Sequence, residues 1–385
     1  MNEKQGGRNP FTESHAEAYQ HLLHQLTAMK HVKHAVASVE SLDGSCKWSA
    51  ATGIAHPDGT PMETDRPFWI ASITKMFIAV TVLKLQEAGR LSIDDPVAAH
   101  LPEEWLQGVH VVKGVDYGNR LTLRHLLSHA SGLPDYLELK GNDGRTLVDR
   151  VVAGDQGPWT IDSVLKIVKD AGKPLFEPRT PGSSRYKIRY SDTNYQLVVA
   201  VVEAVTGQGI GQVFREEIFE PLALGHTFHP GDHPLQPTKP TATVWNGSEP
   251  FQPEPRVMRS FGDLNSTLSD LTAFMRALIQ GQVFQNAETL HLMMGNWKTL
   301  SFALSPITPS WPIAYGMGMM RFEIPRLMTP FKPVPPLMGH TGAVGSWLFY
   351  CREVQMIYTG TVSQVMGAPA PFKVVPGMVQ VMRNR

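Results

Sequence analysis

Phe68-Trp69-Ile70-Ala71-Ser72-Ile73-Thr74-Lys75-Met76-Phe77-Ile78-Ala79-Val80 sets a hydroxyl and an amine three residues apart at the head of a strongly apolar segment. On a helix, positions i and i+3 share a face. Ser72 is thereby aimed at the amine of Lys75, and apolar neighbours lower the pKa of a buried amine towards that of a useful base. The helix N-terminus adds N–H groups and a positive dipole beside the serine, which suits a developing oxyanion. The segment alone also fits a plainer reading, a capping serine followed by a lysine that snorkels to solvent.

Spacing does not decide between them, because Ser-x-x-Lys occurs three times, as Ser72/Lys75, Ser163/Lys166 and Ser184/Lys187. Ser163 follows Thr160-Ile161-Asp162 and opens an ordinary amphipathic helix with its lysine in solvent, and Ser184 lies in a Pro-Gly-Ser-Ser loop. Only Ser72 precedes turns that are almost wholly apolar, Met76 to Leu83, with Gly89 as the stop.

The chain of 385 residues is 42% hydrophobic and 18% charged, with 35 basic and 35 acidic side chains. That is an ordinary globular composition, enough for one large or two closely packed domains. Zero formal net charge gives no bulk electrostatic case for nucleic acid or an anionic membrane. Cys46 and Cys351 form no disulfide framework or cysteine metal site, although a single bridge between them stays open. The histidines are scattered and no His-Glu-x-x-His occurs, so neither a metal nor another cofactor is expected. Residues 1–10 carry no apolar core or cleavage signal and no run is long enough to span a membrane. A cytoplasmic location is expected, or a periplasmic or secreted one if a leader is missing from the sequence.

Helices are expected over 13–29, 121–134, 161–171, 195–205, 214–219, 268–280 and 371–383. Strands are expected over 32–39 and 47–54, joined as a hairpin through Asp43-Gly44, and over 315–322, 345–350 and 354–361. The N- and C-terminal strands then pair into one antiparallel sheet flanked by helices, an α/β (α+β) architecture with residues 1–89 and 301–385 as a discontinuous sheet lobe. Residues 90–300 form a mostly helical second lobe, with the active site in the cleft between them. Proline-rich stretches at 229–255 and 305–336 read as long loops over that cleft.

A Ser/Lys pair needs a proton shuttle and donors for the oxyanion. Tyr190 in Tyr190-Ser191-Asp192 follows Pro181-Gly182 where a loop meets a helix, and a phenol beside Lys75 is eased towards ionisation; a packing or capping tyrosine is the alternative. Tyr117-Gly118-Asn119 is a second tyrosine of similar pattern. His340-Thr341-Gly342-Ala343 precedes a strand, and its glycine suits an edge that a substrate backbone approaches.

Taken together and in this order, Ser72-x-x-Lys75, Tyr190-Ser191-Asp192 and His340-Thr341-Gly342 resemble the SxxK serine hydrolases of the β-lactamase-related superfamily, in the branch of class C β-lactamases, D-Ala-D-Ala carboxypeptidases, D-aminopeptidases and esterases. Leu123-Arg124-His125-Leu126-Leu127-Ser128-His129-Ala130-Ser131-Gly132-Leu133 resembles that family's RHLL-x-H-x-SGL block, and Phe219-Glu220-Pro221-Leu222 and Ser266 to Leu271 extend the likeness over roughly residues 20–365. The resemblance implies a two-lobed β-lactamase/transpeptidase-like fold. It implies Ser72 as nucleophile, Lys75 and Tyr190 sharing acid/base work, and the N–H groups of Ser72 and Ala343 as oxyanion hole. Asp192, His340, Thr341 and Gly342 would then bind substrate. The family's tyrosine element lies after the RHLL block and after a Pro-Gly, as Tyr190 does and Tyr117 does not.

Two positions depart from the family pattern. Asp192 stands where its Tyr-x-Asn has an amide, which exchanges a donor/acceptor for an acceptor-only anion and favours the protonated form of Lys75. His340 stands where β-lactamases typically keep a lysine. The expected activity is hydrolysis of small esters or amides through an acyl-enzyme. A D-Ala-D-Ala carboxypeptidase or weak β-lactamase is the alternative, the former disfavoured by the missing leader, and a non-catalytic ligand-binding relative is the alternative from another class.

Overall fold

The computed structural model describes residues 11–180, 183, 186–300, 312–324, 333–365 and 367–383. Ser184 and much of the 305–336 stretch lie outside them. The centre is an eight-stranded antiparallel sheet in the order Lys47–Gly53, His34–Ser41, Met356–Thr361, Trp347–Cys351, Leu337–Thr341, Met320–Phe322, Ile313–Tyr315, Lys298–Thr299. The N-terminal hairpin joins the C-terminal strands through Val36 opposite Thr361 and Ser41 opposite Met356. All eight residues of His34–Ser41 are buried, as befits a strand covered on both faces.

Helices Glu13–Thr27 and Ala370–Arg383 pack on each other, and Tyr19, Leu23, Val375 and Met378 join Trp347 and Tyr358 of the sheet in one core. Helix Leu268–Ile279 packs on the sheet's central strands, so the 90–300 segment also contributes directly to the sheet's cover. Helix Thr74–Glu87 is buried nearly all round, packs against Asp192–Thr206, and stacks Phe77 on Phe274 at 3.9 Å. A helix apolar on every side belongs inside, and its burial is the largest structural consequence of the opening sequence.

Three elements differ from the sequence expectation. The helix expected over 121–134 spans only Leu123–Leu127: Thr122 and His125 cap its start, and the chain leaves it through His129 at φ 55°. The strand expected over 315–322 is a hairpin, Ile313–Tyr315 and Met320–Phe322, turning at Gly318 with φ 70°. A Cβ at Gly318 would lie 2.4 Å from the Ala79 Cβ and 2.7 Å from the Lys75 carbonyl, so this turn sits directly on helix Thr74–Glu87. The helix expected from Tyr195 begins at Asp192, which puts that carboxylate in the first turn, where a helix favours an anion. Cys46 and Cys351 are both buried and are not joined by a disulfide.

Candidate active site

Ser72 lies in a 3-10 turn, Ala71–Ile73, that runs straight into Thr74–Glu87. Its predecessor Ala71 has φ 48°, a left-handed conformation that a side chain adopts only when its surroundings impose it. The neighbours do so. Ser346 Oγ donates to the Ile70 carbonyl at 2.8 Å, and Gly342 packs so closely that a Cβ there would lie 2.5 Å from that carbonyl and 2.9 Å from the Ala71 Cβ. On the other side Ile70 N donates to the Leu264 carbonyl at 3.0 Å and Leu264 N to Thr74 Oγ1 at 2.9 Å. Ala343, next to this clamp, is partly exposed, and its N–H donates to no backbone carbonyl among the described residues. That leaves it available beside the Ser72 N–H for an oxyanion.

Lys75 Nζ donates to Ser72 Oγ at 3.0 Å and, on its other side, makes a short ion pair with Asp192 Oδ1. Its side chain is 4% exposed and lies over the rings of Tyr190 and Tyr195, 5.3 Å from each centroid. Burial pulls its pKa down, but the charges of Asp192, Tyr190 and Asp263 outweigh that and raise it well above the usual amine value. At rest Lys75 is an ammonium.

Tyr190 is buried, its hydroxyl close enough to Ser72 and Lys75 to feel both but without a hydrogen bond of good geometry. Burial raises its pKa against the pull of Lys75, so it holds its proton at neutral pH. Beneath it lies a stack that the sequence did not announce. His129 faces Tyr190 at 4.3 Å and Tyr315 at 4.5 Å between ring centroids. Tyr195 donates to the Leu127 carbonyl at 2.9 Å, and Ser191 N donates to His129 Nδ1 at 3.2 Å. His129 is held neutral, its pKa driven well below the usual value by burial and then by Lys75 and His340. The irregular exit of the 123–127 helix therefore delivers a neutral ring under the tyrosines.

The substrate-binding expectation for His340 is corrected by its placement. It is fully buried, its ring bonded to Tyr315 Oη at 3.1 Å and to the Thr341 carbonyl at 2.7 Å, and burial lowers its pKa to about 3. It braces the strand beneath the site and offers no cation there. Thr341 points to Met320 Sδ at 3.7 Å, and Gly342 contributes close backbone approach. The Asp192 carboxylate is engaged by Lys75. Tyr117 stacks with His110 at 5.8 Å, and Ser163 and Lys166 lie on an exposed face, all three apart from this constellation.

Two carboxyls were not singled out from sequence. Asp135 is buried and accepts from Asp192 N at 3.1 Å and Leu137 N at 3.0 Å; burial, then the Asp192 charge, push its pKa well up. Asp263 stands within the field of Lys75 and Asp192, its pKa pushed up to about 7, chiefly by burial. Nothing in their local sequence marks them, since both arrive by tertiary folding. No group of three or more His, Cys, Asp or Glu among the described residues is placed to hold a metal.

Residues 27–371 match the family described as Beta-lactamase. The chain belongs to that family. Among beta-lactamase-family relatives, it is 30% identical over 167 residues to penicillin-binding protein 4* of Bacillus subtilis, covering 43% of this chain and 31% of that protein. It is 31% identical over 186 residues to esterase EstB of Burkholderia gladioli, covering 47% and 43%. The aligned stretches thus span less than half of these relatives' own lengths. A solved structure of a D-stereospecific amidohydrolase from a Streptomyces species superposes with a TM-score of 0.73 at 27% identity, covering 94% of this chain and 97% of that one. The beta-lactamase-family fold, an antiparallel sheet with helices about it, is therefore the fold of this protein.

Proposed function

We propose that the protein is a serine hydrolase that moves the acyl group of a small ester or amide to Ser72 and then to water. The observation that carries this is Lys75 Nζ, buried between Ser72 Oγ at 3.0 Å and the Asp192 carboxylate. An ammonium cannot itself take the serine proton, but one paired with a carboxylate can pass a proton on as it receives another. Lys75 gives a proton to Asp192 and takes that of Ser72 while Oγ attacks the acyl carbonyl. The N–H groups of Ser72 and Ala343 donate hydrogen bonds to the oxyanion. Tyr190, which holds its proton at neutral pH, protonates the leaving group as the tetrahedral intermediate collapses. Its phenolate, beside Lys75, then takes a proton from water, the hydroxide attacks the acyl-enzyme, and Ser72 recovers its proton from Asp192 through Lys75.

The similarity to an esterase and to an amidohydrolase supports the ester/amide class. The neutral, buried His340 supports it over β-lactam turnover, because position 340 offers no fixed cation for a β-lactam carboxylate. The assembled Ser72–Lys75–Tyr190 group speaks against a non-catalytic relative. Intact-protein mass spectrometry with p-nitrophenyl esters, amino-acid amides and penicillins is the test. The wild type should gain the acyl mass of an ester or amide, and the Ser72→Ala protein should gain none. An adduct on the Ser72→Ala protein would overturn the assignment.

A further inference from the structure

Near Ser72 lie residues whose chemistry the proposed proton relay does not use. Short strands Phe68–Trp69 and Asn265–Ser266 pair with Trp69 opposite Asn265, and the next step of the ladder joins Ile70 to Leu264. Asp263 directly precedes Leu264 in the chain and lies close enough to Lys75 for the two charges to interact. Asp263 is partly exposed and makes no hydrogen bond or ion pair among the described residues, although it lies in the field of Lys75 and Asp192. Its neighbour Phe261 packs on Trp69 at 5.5 Å and on Trp159 at 4.7 Å between ring centroids. Gln196 fixes this loop by donating to the Ser260 and Phe261 carbonyls at 3.2 and 3.1 Å.

The charges around Ser72 do not balance. Lys75 is ion-paired with Asp192, and Asp135 has two backbone N–H donors, whereas Asp263 feels Lys75 only at a distance and has no hydrogen-bonded partner among the described residues. A partly desolvated carboxylate next to aromatic faces is a receptor for an organic cation.

We propose that Asp263 is a specificity-determining residue that receives the free ammonium of the substrate's acyl part, with Phe261 and Trp69 as the wall for its apolar side chain. The substrate class is then amides or esters of amino acids with an unblocked amine. This rests on the proposed function of Ser72. It also moves the amine-recognising role from Asp192, where the sequence first suggested a carboxylate in the acyl pocket, to a residue 71 positions further along.

Binding without turnover tests this separately from the hydrolase reading. Calorimetry on the Ser72→Ala protein should show phenylalanine amide binding roughly tenfold or more tighter than its N-acetyl derivative, as a charge-assisted hydrogen bond requires. In Ser72→Ala/Asp263→Asn that preference should vanish, with the melting temperature not lowered, because Asn is isosteric and removes a carboxylate whose ionised form burial disfavours. Equal binding of the two amides by Ser72→Ala, or a preference that survives Asp263→Asn, would overturn the assignment. Failure of the wild type to form an acyl adduct would instead condemn the hydrolase reading and leave the binding result to decide Asp263.

Discussion

Two helices in this molecule begin with the same four-residue motif and share nothing else. Ser72/Lys75 leads into a helix buried on nearly every face, and Ser163/Lys166 sits on Ile161–Ala171, an amphipathic helix at the surface. Lys75 is 4% exposed and locked between Ser72 and Asp192, whereas Lys166 is 75% exposed and bonded to Asp170 one turn on at 2.6 Å. Ser72 is preceded by a strained alanine clamped by two strands, whereas Ser163 N simply donates to the Thr160 cap. Desolvation, a fixed counter-ion and an imposed backbone set Ser72 apart from Ser163, and spacing contributes only proximity.

The largest expected break in the comparison is catalytic. Ser72→Ala should lower kcat on any ester that the wild type hydrolyses by roughly 10^4-fold or more, and abolish fluorophosphonate labelling. Ser163→Ala should leave both at the wild-type level. Labelling that moved to the Ser163 helix, or survived at another serine, would show that burial is not the deciding feature.

The next break is in stability. Lys75→Met strands the Asp192 carboxylate without its cation and should cost about 3 kcal/mol in urea unfolding. Lys166→Met removes an exposed i,i+4 pair and should stay within about 0.5 kcal/mol. Lys75→Met/Asp192→Asn should recover much of the stability and none of the activity. A double variant as unstable as Lys75→Met would mean that packing, and not the stranded charge, dominates.

A smaller difference separates the two tyrosines. Tyr190→Phe should reduce kcat by roughly 100-fold, the usual loss for a positioned proton donor, while Tyr117→Phe should be nearly silent in the same ester assay. The reverse ranking would place the acid elsewhere.

What was legible in the sequence follows the same division. Ser72 and Lys75 could be read because an apolar run advertises burial, and Tyr190 because motif order distinguishes it from Tyr117. The sheet was legible because its strands carry local turn signals, Asp43-Gly44 above all, whose Gly44 takes φ 74°. His129, Tyr195, Tyr315, Asp135 and Asp263 were not assigned roles, since each reaches the site through contacts across many residues and no local period marks it. The burial of His340 was not legible for a related reason: alternation tells that strand neighbours face opposite sides, but only the assembled sheet tells which side is core.

The least effect per group comes from comparing Lys75 with the buried histidines, where burial outweighs the groups that oppose it. Burial lowers the pKa of His34, His125 and His229 to about 4 and of His340 to about 3, and takes His129 down as well. A histidine with a depressed folded pKa contributes stability that is present above its unfolded value near 6.5 and is lost as pH falls towards the folded one. Asp263 works the other way: raised to about 7, it gains relative stability as pH falls below 7. The histidines outnumber it, so unfolding free energy should fall steadily between pH 6.5 and 4.5, by about 1.4 kcal/mol per pH unit for each fully shifted histidine before such offsets. His34 isolates one share, because its Nδ1 bonds the Ile54 carbonyl at 2.9 Å while Nε2 has no partner. Urea unfolding of His34→Asn across that range should show a slope shallower by about 1.4 kcal/mol per pH unit, and Asp263→Asn a steeper one. If His34→Asn and wild type lose stability in parallel, His34 is charged in the folded protein and burial alone does not set its state.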